Sequence, residues 1–169
     1  MKADVIGIRG GAGFDAIVGH LTSMGGDVVL IDPDMVCGKD HVLSALFHAE
    51  RSMEQGTNRS KTLLTEVILY CAWERQIGKA IAKMRPKEGR DEYVALLLDV
   101  DDPRLDEIGM ERDDSLVQAT DAKARALGLD DRFLSYEDQA VENVASVELL
   151  KFRPRYGLFP NTSTTSLAR

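Results

Sequence analysis

Runs of apolar and polar positions divide the chain into short, clearly bounded segments. Asp4 to Arg9 (DVIGIR) reads as a strand, followed by a turn that uses Gly10, Gly11 and Gly13. Phe14, Ile17, Val18 and Leu21 recur on one helical face, which predicts a helix over 14–24 that Gly25-Gly26 ends. Asp27 to Ile31 (DVVLI) has the form of a buried strand, and Asp32-Pro33-Asp34 that of a turn. Asp40 is placed to cap a helix over 41–54, in which Leu46, Ala49 and Met53 align; Gly56-Thr57-Asn58 breaks it.

The next helix is expected to open at Ser60 or Thr62 and to run to Trp73. Leu63, Leu64, Val67, Ile68, Leu69, Tyr70 and Cys71 make it apolar almost all round, as befits a central, buried helix. A second helix follows over 75–84, with Ile77, Ala80, Ile81 and Met84 on one face and Pro86 just beyond its end. The uninterrupted Val94–Leu98 predicts a central strand over 93–100. After an acidic stretch, a helix over 115–127 is ended by Gly128; a helical segment over 137–143 and a last strand over 145–152 complete the pattern. No repeat or long linker divides the chain. One domain over 1–153 is expected, with a polar tail over 154–169 whose last part, from Asn161, is expected to be disordered.

The length of 169 residues and a hydrophobic fraction of 44% suit one domain with a sizeable core. No apolar run approaches the roughly 20 residues that span a bilayer, so no membrane partner is expected. Cys37 and Cys71 lie far apart, and the start of the chain has no secretory pattern; reduced thiols and a cytoplasmic location are the expectation.

Charge changes the picture more than composition does. The net charge is −7. Yet the stretch 59–87 holds seven basic residues against Glu66 and Glu74, which leaves −12 on the remainder. A basic island on an acidic chain suits a focused anion site; the plainer account is chance clustering on a solvated helix face. Arg75, Lys79 and Lys83 stand at i, i+4 and i+8, a column with about 6 Å per step that can follow a nucleic-acid backbone. Lys61 precedes a helix start, where free N–H groups favour anions, and Gln76 carries an amide able to read a base edge.

Other motifs carry less. Gly11-x-Gly13-x-x-Ala16 after a strand, with Asp32 ending the next one, has the form of a dinucleotide fingerprint. Against that stand three successive helices where another strand-helix-strand unit belongs; a glycine turn joining strand to helix is the simpler account. The acids at 99–107 do not follow a calcium-loop pattern, and His20, His41 and His48 form no zinc motif, so no metal is expected. Cys71 has no basic partner to activate it, and no nucleophile elbow accompanies any serine. Nothing amounts to a catalytic constellation, and no cofactor is implied.

Asn58-x-Ser60, Leu63, Glu66, Ile68-Leu69-Tyr70 and Arg75-Gln76-Ile77-x-x-Ala80-Ile81 resemble the signature of the small subunit of the KEOPS complex, called the TPRKB family in eukaryotes. His41-Val42-Leu43-Ser44-Ala45 resembles that family's preceding helix start, and Val141 to Leu149 its closing strand. The resemblance covers roughly 4–152 and implies an α/β (α+β) fold with a mixed, largely antiparallel sheet flanked by helices. It implies a non-catalytic subunit that binds the complex's kinase-like ATPase and promotes its activity. It further implies binding of tRNA by the single-stranded 3′ CCA end, while the complex installs threonylcarbamoyl on the adenosine after the anticodon. Lys61, Arg75, Gln76 and Lys79 become candidate tRNA contacts, with Lys83 added by helical spacing. Asn58 and Ser60 would shape the loop, and Glu66 would cap a helix or hold Arg75. Two alternatives stay open: a small nucleotide-binding enzyme using Gly11, Gly13 and Asp32, and a pure protein-interaction module. Oligomeric state is open too, self-association of the isolated chain being one option.

Overall fold

The computed structural model describes residues 1–156, with side chains through Leu149. Four strands, β1 (Ala3–Gly10), β2 (Asp27–Ile31), β3 (Glu92–Leu98) and β4 (Met110–Arg112), form one sheet in the order β2-β3-β1-β4. Every pairing in it is antiparallel, so the expected mixed sheet is in fact uniform. Six α-helices accompany it among the described residues: α1 (Phe14–Thr22), α2 (Lys39–Gln55), α3 (Leu63–Cys71), α4 (Ile77–Met84), α5 (Asp121–Leu127) and α6 (Tyr136–Tyr156). The result is a single α+β domain.

The alternation along each strand assigns two faces to the sheet. Val5, Val29, Ile31, Val94, Leu96 and Leu98 point to a core shared with α2, α3, α4 and α6. Ile6, Ile8, Val28, Leu30, Ala95 and Leu97 point the other way, onto Ile17 and Leu21 of α1 and the segment from Val100 to Met110. Because both faces are covered, β3 is apolar without interruption, as its sequence suggests.

Four local expectations give way. The strand expected over 145–152 is the continuation of α6: Ala140, Val144 and Val147 are buried at helical spacing against α2, and this 3.6-residue period outweighs the β-branched composition. The family-like segment Val141–Leu149 is thus helical, and α6 continues to Tyr156, past the expected domain end at 153. The tail lies, from 157 on, outside the described residues. The helix expected over 115–127 begins only at Asp121, capped by Thr120, whose hydroxyl accepts from the Lys123 N–H. Strand β4 arises inside the acidic stretch by pairing with Ile8–Gly10. Finally, Asp40 does not cap α2. Its own N–H donates to Glu137 Oε2 at 2.9 Å, so a carboxylate from α6 closes that helix start beside Gly38, which adopts φ 101°.

Candidate functional site

Helix α3 carries the site at its two ends. Its start is closed. Thr62 caps it, accepting from the Thr65 N–H at 3.2 Å. Glu66, fully buried one turn in, gathers the preceding loop: Oε1 accepts from the N–H groups of Arg59 and Ser60 and from the Ser60 hydroxyl, at 3.1, 2.9 and 3.0 Å. Its Oε2 accepts from the Ser52 hydroxyl of α2 at 3.1 Å. Asn58 Nδ2 donates to the Ser60 carbonyl at 2.8 Å, fixing the turn. Of the two roles expected for Glu66, holding Arg75 is not seen; the carboxylate organises the α2–α3 loop instead. Lys61 is exposed on this loop and makes no ion pair among the described residues. The helix start beside it holds the Thr62 hydroxyl and a buried carboxylate, so it adds little anion affinity.

The far end of α3 has a different construction. Trp73 adopts φ 60°, the left-handed conformation that bulky residues rarely take. Its N–H donates to the Tyr70 carbonyl at 3.1 Å and that of Glu74 to the Leu69 carbonyl at 3.2 Å, the double hydrogen bond of a Schellman cap. The remaining carbonyls are taken by side chains. Buried His41 donates through Nε2 to the Cys71 carbonyl at 2.9 Å while its Nδ1 accepts from the Cys37 N–H at 3.0 Å, which fixes the neutral tautomer. Burial holds the His41 imidazolium down to about 4. Lys83 reaches back from α4, donates to the Ala72 carbonyl at 2.6 Å and lies 4.5 Å from the centre of the Trp73 ring.

This arrangement corrects the expected cationic column. Helix α4 begins at Ile77, with Gln76 as its N-cap; Arg75 therefore precedes the helix. Lys83 is turned onto Trp73, and burial pulls its ammonium below the usual lysine range. What remains at the start of α4 is a compact group: exposed Arg75, Gln76 and Lys79, none with an ion pair among the described residues. Gln76 makes no side-chain cap, and no acid sits in the first turn, so the leading N–H groups of α4 are left to solvent. Lys61 stands at the other end of α3, nine residues or about 14 Å along the axis. The structure thus brings Arg75, Gln76 and Lys79 together and leaves Lys61 apart. Trp73 and His41 hold this end in place; His41 opens the family-like helix start without any sign of this role, and the one signal for Trp73 is a lone tryptophan two residues before Arg75.

The glycine turn lines a cavity of about 680 Å³, opposite Arg85, Lys87 and Arg90. It lacks the dinucleotide geometry. Strand β3 lies between β1 and β2, so Asp32 ends a strand two positions, or roughly 10 Å, away from β1. The Asp32 carboxylate is buried and engaged, by Lys87 Nζ at 2.6 Å and the Asp34 N–H at 2.9 Å, and is not available to a ribose. Cys37 and Cys71 are free and buried, and burial pushes the Cys71 thiol up to about 12. Among the described residues no cluster of His, Cys, Asp and Glu is arranged to hold a metal, and no helix is long and apolar enough to cross a membrane.

No curated protein matches the chain. The family model described as kinase binding protein CGI-121 matches residues 17–135, well over half of the chain and inclusive of both ends of α3. The chain belongs to the CGI-121 family of kinase-binding proteins, which are non-catalytic.

Proposed function

We propose that this protein is the KEOPS subunit that binds both the kinase-like ATPase of the complex and the 3′ CCA end of tRNA, recruiting tRNA for threonylcarbamoyl modification without performing chemistry itself. Family membership supports the kinase partnership. The observation that carries the RNA part is the start of α4, where uncapped N–H groups, Arg75, Gln76 and Lys79 converge with no competing carboxylate in the first turn. Such a start supplies backbone donors and positive potential for a phosphate, and Gln76 supplies both a donor and an acceptor for a base edge. Lys61 would meet the strand farther along. An acidic remainder confines attraction to this patch and leaves overall affinity dependent on the other subunits.

The test compares intact tRNA with tRNA lacking its CCA end by electrophoretic shift. The intact form should bind at least several-fold tighter. Lys79→Glu should weaken that binding and lower the slope of log K against log salt by about one. Equal binding of both tRNAs removes the 3′-end claim. An unchanged salt slope removes Lys79.

A further inference from the structure

Trp73 combines three features that packing alone does not require. A tryptophan occupies a left-handed position for which glycine or asparagine is the ordinary choice, and such strain persists where the surroundings enforce it, commonly at ligand sites. Its indole Nε1 is buried without a hydrogen-bond partner among the described residues. Its ring is only partly buried and is overlain by Lys83, whose ammonium meets a carbonyl and a π face, feels the Glu74 carboxylate at longer range, and forms no ion pair among the described residues. The two groups over the ring differ in kind. His41, stacked at 5.4 Å, is completely buried and held at both nitrogens, whereas Lys83 arrives from the surface on a flexible stem.

We infer that Lys83 is a displaceable cover and that Trp73 is a stacking platform for an unpaired nucleobase. This rests on the RNA-binding reading and names what that same site recognises. A phosphate arriving at Arg75 and Lys79 offers the Lys83 ammonium a full negative charge in place of the Ala72 carbonyl. Its departure uncovers the indole two residues from Arg75, within reach of the base attached to that phosphate. Aromatic stacking of this kind tolerates any base, so the platform adds affinity for a single-stranded end while Gln76 adds discrimination. A duplex, whose bases are already stacked, gains nothing there.

Trp73 is the sole tryptophan of the chain, so its emission reports this site alone. The full-length protein is titrated with a short RNA ending in CCA and with the same RNA carrying abasic residues at its last three positions, binding being followed separately by anisotropy of a labelled RNA. The intact RNA should quench Trp73 emission; the abasic RNA, with equal phosphate charge, should bind on the order of tenfold more weakly and, drawing off Lys83 without stacking a base, should shift the emission but not quench it. Trp73→Phe keeps an aromatic face and should retain most of the preference for intact RNA. Lys83→Met keeps the stem but lowers the salt slope by about one. Saturated binding without change in emission overturns the platform and leaves the RNA reading standing; absence of binding in the anisotropy overturns both.

Discussion

The two helix starts flanking the site look alike in sequence and differ in electrostatics. Lys61 precedes α3 and Arg75 precedes α4, each a cation beside free N–H groups on paper. At α3 Thr62 accepts one N–H, and a buried carboxylate stands in the first turn: Glu66, which collects three donors from the preceding loop and one from α2. At α4 nothing is filled; Gln76 does not cap, and the first turn has no acid. A basic residue next to a helix start is therefore a weak signal by itself. What decides is whether the protein has already spent that start on its own side chains. By this criterion the α3 start is structural and the α4 start is available to an outside anion.

The largest effect expected is on the closed start. Glu66→Ala takes from the N–H groups of Arg59 and Ser60 their buried acceptor, and from the hydroxyls of Ser52 and Ser60 one of their partners. It should cost on the order of 3 kcal/mol in urea unfolding. If the comparison holds, RNA binding at the α4 start survives at temperatures where the variant is folded. A cost near zero would mean that water replaces the carboxylate and that the α3 start is less closed than it looks.

Next comes the anchorage of the open start. His41 holds the Cys71 carbonyl and, through it, the turn from which α4 departs. Its pKa is about 4 in the folded protein against 6.5 for an ordinary histidine, so the unfolded chain binds the proton first as pH falls. The associated stability is fully present above pH 6.5 and is lost between 6.5 and 4, amounting to about 3 kcal/mol at the lower limit. Unfolding free energies measured from pH 7 to 5, where carboxylates contribute little, should fall in wild type and stay flatter in His41→Gln. Equal slopes would show that His41 is less shielded than its burial implies.

How much of this was legible follows from which forces leave a pattern. Strand β2 and the core of α3 could be read because burial on all sides leaves an unbroken apolar run. Strand β4 could not: Met110-Glu111-Arg112 pairs through its backbone with Ile8–Gly10, and a backbone ladder leaves no trace in side-chain polarity. The second half of α6 reads as a strand because Val147 favours strands as a single residue, while the buried face it shares with Val144 shows only once α2 is there to receive it. The site followed the same rule. The apolar face of α4 was evident in Ile77, Ala80, Ile81 and Met84. Its start was placed two residues early, since glutamine is not a usual cap and marks no boundary. The inward turn of Lys83 depends on a tryptophan ten residues earlier being brought beneath it by tertiary packing, which spacing on one helix does not encode.

The smallest change is also the one that separates the two helix starts most cleanly. Gln76→Asp places a capping carboxylate where α4 has none, making its start resemble that of α3. A good N-cap in place of a poor one, together with a negative charge at the positive end of the helix dipole, should raise stability by about 0.5–1 kcal/mol. The same carboxylate occupies the N–H groups that a phosphate would use and offsets one of the two cations, Arg75 and Lys79, beside them. RNA affinity should therefore fall by a few-fold while the melting temperature rises. Most substitutions that damage a binding site through misfolding lower both quantities, so opposite signs are the informative result. If stability and affinity rise together, the leading N–H groups of α4 do not face the ligand, and the cations alone carry the binding.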